Sequence, residues 1–176
     1  PGAIIDRVSG FGVIAYGKMG GLELGYGSDL DLVFLYDGND SALTNGERPV
    51  TTAEFFARMG KRIIHLLTAN TPAGILYEVD LRLRPSGNSG LLVSSIDAYH
   101  TYQMDSAWTW EQQALVKARF VAGDPNIGER FGAIREKSLC RQRDIQTLRT
   151  EIREMREKMR ANLAAKDPAV FDLKQG

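Results

Sequence analysis

Gly27-Ser28-Asp29-Leu30-Asp31-Leu32-Val33-Phe34-Leu35 sets two acids, two residues apart, at the head of an otherwise apolar run. Leu30 to Tyr36 has the composition of a buried strand. Side chains at i and i+2 of a strand point to the same face. Asp29 and Asp31 are therefore expected to project together, with Leu30, Leu32 and Phe34 on the opposite face. An ionised carboxylate taken out of water carries a heavy penalty unless something pairs with it. The pattern raises the question of what pairs with these two.

A second stretch supplies a third acid. Leu76-Tyr77-Glu78-Val79-Asp80-Leu81-Arg82-Leu83-Arg84 alternates apolar and polar residues and stops at Pro85 and Gly87. The alternation predicts a strand over 76–84. If the two strands are neighbours, Asp29, Asp31 and Asp80 converge. Three carboxylates that close repel one another unless a hard divalent cation sits among them. Mg2+ takes carboxylates together with phosphate oxygens and waters rather than a full protein cage. Two such ions, ~3.5–4 Å apart, would bracket an in-line phosphoryl or nucleotidyl transfer. On this reading the three acids are metal ligands, and a nucleotide is their further partner.

The segment upstream fits the same chemistry. Phe11 to Tyr16 is a short β-leaning run, followed by Gly17-Lys18-Met19-Gly20-Gly21. Gly17, Gly20 and Gly21 fall between a strand and a helical turn, where bare backbone amides approach phosphate oxygens. Lys18 and Ser28 add a charge and a hydroxyl. The segment is neither a P-loop nor a GxGxxG fingerprint. Arg82 and Arg84 share a face with Asp80 on the predicted strand, either gripping a triphosphate or forming the solvated face of an edge strand.

The rest of the chain reads as scaffold. Asp37 to Pro49 is a polar loop, and Thr51 or Thr52 caps a helix whose apolar face is Phe55, Met59, Ile63 and Leu66. A short strand is expected at Leu91 to Val93, then a helix capped by Ser94 or Ser95 and running through Tyr102. Trp108 to Val121 reads as helical, ending at Gly123, and Asp124-Pro125 opens a further helix. The last helix runs from about Asp144 to Ala165, with Ile145, Leu148, Ile152, Met155, Met159 and Leu163 as its apolar stripe. Trp108, Trp110 and the tyrosines are expected in the core. The fold class is α+β: a small mixed sheet with packed helices over 1–140, then a long helix over 141–176 that begins a truncated following region.

Composition narrows the functional classes. Hydrophobic residues make up 43% and charged residues 25%, and 22 basic residues balance 22 acidic ones. That balance argues against wholesale electrostatic binding to nucleic acid or an anionic membrane. Cys140, the single cysteine, forms no internal disulfide, which suits a reducing, cytoplasmic setting. No stretch reaches the roughly 20 apolar residues of a membrane span. The chain starts at Pro1 without a methionine, and a piece of a longer polypeptide is expected.

The run from Gly17 to Leu32, with Gly-Lys-Met-Gly-Gly, Glu23-Leu24 and Ser28-Asp29-Leu30-Asp31, resembles the signature of the glutamine synthetase adenylyltransferases, in the DNA polymerase β-like nucleotidyltransferase superfamily. Tyr77 to Gly87 and Trp110 to Arg119 also resemble family blocks, and the likeness spans about Phe11 to Leu173. The superfamily pattern is a glycine turn, Asp-x-Asp on a strand and a third acid on a later strand, matched here by Asp29, Asp31 and Asp80. The resemblance implies a polymerase β-like fold, ATP as substrate, and transfer of AMP to a tyrosine of glutamine synthetase. It implies that Asp29 and Asp31 hold both metals, and that Asp80 binds one and helps deprotonate the attacking hydroxyl. It also implies control by a PII signal protein and by glutamine. The family enzyme has two related halves, one adding AMP and one removing it by phosphorolysis; this chain is more similar to the adding, C-terminal half. The alternatives are the removing activity and a non-catalytic nucleotide-sensing module. Family sequences continue past Gly176, so a pocket lacking one wall is expected.

Overall fold

The computed structural model describes residues 10–38 and 41–164. They belong to two compact units, divided between Cys140 and Arg141. The first begins with strand β1 (Phe11–Ala15), a single helical turn α1 (Gly17–Gly20) and strand β2 (Leu30–Tyr36). Helix α2 (Thr52–Leu67) follows, then a small hairpin of β3 (Asn70–Thr71) and β4 (Gly74–Ile75), and β5 (Val79–Asp80). Strand β6 (Val93–Ser95) leads into α3 (Ile96–Asp105), and a short α4 (Thr109–Ala114) precedes β7 (Arg119–Gly123) and α5 (Pro125–Leu139). The second unit contains α6 (Ile145–Ala164).

β2 is the centre of the main sheet. It pairs antiparallel with β1, which pairs antiparallel with β7. Its other edge is shared: β5 pairs in parallel with its first residues and β6 in parallel with its last. Both faces of β2 are covered, as its continuous apolar run requires. Leu30, Leu32, Phe34 and Tyr36 pack with Phe11, Phe56 and Val93 beneath α2. Val33 and Leu35 face the other way, with Ile14, Ile96, Tyr99, Ile127 and Phe131 beneath α3 and α5. The result is a three-layer arrangement, helix on sheet on helices, with β2 contributing to both cores.

The capping signals correspond to real helix starts. Thr51 accepts from the Glu54 amide, Ser95 from the Ala98 amide, and Asp124 from the Asn126 amide. In the second unit Asp144 accepts from the Thr147 amide at 2.7 Å, just before α6. The side chains of Met159 and Leu163 and the position of Ala165 lie outside what the structure describes.

Several expectations need correction. The strand over 76–84 is reduced to Val79–Asp80, because the chain turns away at Leu81. Arg84 makes that turn: its amide donates to the Leu81 carbonyl at 3.2 Å and its guanidinium to the same oxygen at 2.8 Å. Arg82 and Arg84 therefore do not share a strand face with Asp80. The helix over Trp108–Val121 ends at Ala114, passes through one 3-10 turn at Leu115–Lys117, and gives way to β7. Arg135 of α5 takes the Leu115 and Val116 carbonyls, each at 2.7 Å, which occupies acceptors a continuing helix would need.

The inner face of α2 is the expected one only in part: Met59 and Ile63 pack against the core, while Phe55 is exposed. Phe56 and Gly60 are buried there, while Leu66 is 68% exposed. Gly60 matters because a Cβ on it would stand 3.2 Å from Val93 and 3.4 Å from Phe34, so α2 lies close on the sheet. Trp108 and Trp110 are also not core residues, being 70% and 40% exposed. The buried positions of α4 are Glu111 and Gln112 instead. Glu111 accepts from the Tyr102 hydroxyl at 2.9 Å and the Trp108 amide at 2.8 Å, and Gln112 donates to the Gln103 carbonyl at 3.0 Å. Of the tyrosines, Tyr16, Tyr36 and Tyr99 are buried as expected, while Tyr26 and Tyr77 are exposed.

Tyr16 and Tyr99 meet hydroxyl to hydroxyl at 2.6 Å in the core. Burial pushes both phenols well above their ordinary pKa, so the pair stays neutral. Tyr16→Phe would strand the Tyr99 hydroxyl and is expected to cost about 1–3 kcal/mol in chemical denaturation. The double variant with Tyr99→Phe should recover part of that loss.

Candidate metal and nucleotide site

Asp31 is the second residue of β2 and Asp80 the last of β5. Their parallel register sets Leu30 opposite Val79 and Asp31 opposite Asp80. The Leu30 amide donates to the Glu78 carbonyl at 2.8 Å, which fixes the start of this pairing. Asp29 immediately precedes β2. Each of the three acids is half-buried and offers a carboxylate oxygen, and these oxygens lie within 4.8 Å of one another. Like charges about 4 Å apart at a protein surface repel by on the order of 4 kcal/mol per pair.

Arg82 relieves part of that repulsion. Its amide donates to Asp80 Oδ1 at 2.8 Å and its Nε to Asp80 Oδ2 at 2.7 Å, with Nη2 also on Oδ2. These side-chain bonds hold the Asp80 carboxyl below the usual range, against the opposing effect of burial. The guanidinium pKa is raised, chiefly by the same bonds and more weakly by Asp31 and Asp29. Arg84 stands otherwise: besides Leu81, it donates to the carbonyls of Gly90 and Asn88, each at 3.3 Å, and pins the loop that follows β5. Asp29, Asp80, Arg82 and Arg84 line a cleft of about 490 Å³, together with Glu78 and Asn88. Sequence reading had given those last two residues no part in a site.

The glycine turn is placed against the acids. Gly17 has φ +51°, and a Cβ there would stand 2.2 Å from Asp31 Oδ2. Only glycine lets the main chain approach the carboxylate this closely. A Cβ on Gly20 would stand 2.1 Å from the Lys117 carbonyl oxygen and 2.6 Å from that of Ala15. Gly21 is tight against Glu23 and the Lys117 stem. The structure thus gives Gly17 and Gly20 a reason besides phosphate approach: close passage to a carboxylate and to two carbonyls. Ser28 Oγ accepts from the Gly25 amide at 3.3 Å and lies 3.5 Å from Lys18 Nζ, so the hydroxyl and the exposed ammonium are neighbours. A second, larger cleft of about 770 Å³ opens between residues 24–28 and 75–78 and shares Glu78 with the first.

The donor set tests what the acids would hold. All three donors are carboxylate oxygens, two on adjoining strands and one just before β2, with no histidine or cysteine among them. Hard oxygen donors that leave room for phosphate and water suit Mg2+ and do not suit a thiolate-type or imidazole-type metal.

Two outcomes follow from this geometry. Gly17→Ala is expected to push the Asp31 carboxylate aside and to weaken Mg2+-dependent nucleotide binding, measured by calorimetry, by roughly tenfold or more. Arg82→Gln is expected to raise the Asp80 pKa, followed by NMR titration of the side-chain carboxyl. A carboxyl depressed on folding stabilises the fold above its unfolded pKa, and that stabilisation is lost as pH falls through the folded pKa. Stability of the wild type should therefore fall more than that of Arg82→Gln on acidification below the ordinary carboxylate range.

Residues 5–134 match the family described as GlnE: Glutamate-ammonia ligase adenylyltransferase. Three similar curated proteins are each called a bifunctional glutamine synthetase adenylyltransferase/adenylyl-removing enzyme. That of Methylococcus capsulatus is 67% identical over 95% of this chain, which covers 18% of the relative. That of Nitrosococcus oceani is 58% identical over 96% of this chain and 17% of its own length. That of Pseudomonas putida is 54% identical over 94% of this chain and 18% of its own length. The chain thus spans less than a fifth of these relatives.

Proposed function

The chain belongs to the glutamate-ammonia ligase adenylyltransferase family, and from that premise we propose that it is a nucleotidyltransferase domain that moves AMP from ATP to a tyrosine of glutamine synthetase. The observation that carries the reading is the meeting of Asp29, Asp31 and Asp80 within 4.8 Å. The glycine turn packed against Asp31 supports it. Asp29, Asp31 and Asp80 would hold Mg2+, two ions in the full reading, whose chemistry is to neutralise the triphosphate and polarise the α-phosphate. The Gly17–Gly21 segment, Lys18 and Ser28 would receive the phosphates.

In the transfer itself, the tyrosine oxygen forms a bond to the α-phosphorus while the bond to the β-phosphate bridge breaks, and pyrophosphate leaves. Asp80, held below its usual range by Arg82, is a weak proton acceptor as it stands. We assign it ligand duty and, once Arg82 lets go, acceptance of the proton that the attacking tyrosine hydroxyl loses. Arg82 has an exposed side chain and is placed to exchange Asp80 for a phosphate oxygen. Arg84, already spent on carbonyls, contributes charge rather than contact. A cytoplasmic setting and control by a PII signal protein and glutamine complete the proposal for the whole enzyme. No helix among the described residues is long and apolar enough to cross a membrane.

The relatives' bifunctional name keeps one other direction in play: phosphorolytic removal of AMP. One experiment separates the readings. The full-length enzyme is given ATP, Mg2+ and glutamine synthetase, or adenylylated glutamine synthetase with orthophosphate, and the protein substrate is weighed by mass spectrometry. Gain of one adenylyl group, abolished by Asp29→Asn, is the expected result. Transfer that survives Asp29→Asn would overturn the carboxylate assignment. ADP release that requires orthophosphate and these acids would turn the direction around, and nucleotide binding without either reaction would leave a sensing module.

A further inference from the structure

We propose that Arg119 is a positioning residue for the acid cluster, acting through the glycine turn; the inference rests on the nucleotidyltransferase reading of that cluster. The turn α1 has four residues: Met19 packs against the core, and the glycines at its two ends have no side chains with which to anchor it. It is held from outside by the segment that opens β7. Arg119 Nε donates to the Gly20 carbonyl at 3.1 Å and Nη2 to the Met19 carbonyl at 3.2 Å. These are carbonyls at the C-terminal end of a helical turn, where a positive charge is favoured; the Met19 carbonyl also accepts from the Leu22 amide at 3.3 Å. Lys117 adds to the hold in two ways. Lys117 Nζ pairs with Glu23 Oε2 at 2.6 Å just past the turn, and the Lys117 carbonyl lies directly against Gly20.

The other end of the turn meets the acids. Gly17 packs on Asp31 Oδ2 so closely that a Cβ would overlap it at 2.2 Å. The β1–β7 register places Arg119 opposite Ala15, two residues before Gly17, so the guanidinium starts beside the turn it grips. The contacts therefore run from Arg119 to Gly20 and Met19, along one rigid turn to Gly17, and from Gly17 to Asp31. Residues that hold a ligand's neighbour in place help to set its orientation. A guanidinium spans two successive carbonyls with its planar fork; an ammonium supplies the charge without that geometry.

The test uses the full-length enzyme with Arg119→Met and Arg119→Lys, beside Arg130→Met as a stability control. Arg130 pairs with Asp37 and Asp97 and touches neither the turn nor the acids. Binding of Mg2+ with ATP is read by calorimetry, alongside the unfolding midpoint and the steady-state constants. Arg119→Met is expected to weaken Mg2+-dependent ATP binding roughly tenfold or more, with an unfolding midpoint no lower than that of Arg130→Met. Its KM for ATP should rise more than its kcat falls, and Arg119→Lys should fall between it and the wild type. ATP binding in both Arg119 variants equal to that in Arg130→Met would overturn the inference and leave the proposed function intact. Wild-type binding of Mg2+ and ATP that is weakened in Arg119→Met, but never accompanied by AMP transfer or removal, would overturn the proposed function and uphold this inference.

Discussion

Two residue pairs of parallel sheet, Leu30 with Val79 and Asp31 with Asp80, bring the three carboxylates together. A two-residue pairing is weak by itself. It persists because β2 is anchored over its whole length in two hydrophobic cores, with β1 along one edge and β6 at the far end of the other. The acids occupy the one end of the central strand where the sheet stops and a cleft begins. Buried apolar surface elsewhere thus offsets an electrostatic cost concentrated here.

The same arrangement explains how the neighbours of the acids are deployed. Arg82 sits on Asp80 and balances part of the negative charge. Arg84 turns the chain out of the sheet and frees the space that β5 would fill as a longer strand. On the other side, the glycine turn leans on Asp31 and is itself braced by residues about a hundred positions away in sequence. The candidate site and its bracing therefore draw on three distant stretches, near residues 17–31, 78–84 and 117–119, that meet only in the folded chain.

Much of this was legible in the sequence where a local rule governs. The alternation and apolar run of β2 followed from side-chain period, and the helix starts at Thr51, Ser95 and Asp124 followed from capping chemistry. The convergence of Asp29, Asp31 and Asp80 followed from supposing two strands adjacent. What escaped depends on remote partners. No glycine or proline marks the break at Leu115; Arg135 makes it from another helix. The strand at Arg119–Gly123 exists because β1 offers an edge, and it was hidden inside a helical pattern. Strict alternation over 76–84 suggested a long strand, but a side chain within that stretch, Arg84, folds it back. The exposed tryptophans show a composition argument failing against two satisfied polar residues, Glu111 and Gln112.

The central claim is that the three acids form one cation site that recruits a nucleotide. Calorimetric titration of ATP into this chain, with and without Mg2+, beside the double variant Asp29→Asn/Asp31→Asn, tests it most directly. The account predicts binding to the wild type only when Mg2+ is present, and none to the double variant. Mg2+-dependent binding of equal strength in the double variant, or wild-type binding indifferent to Mg2+, would contradict it.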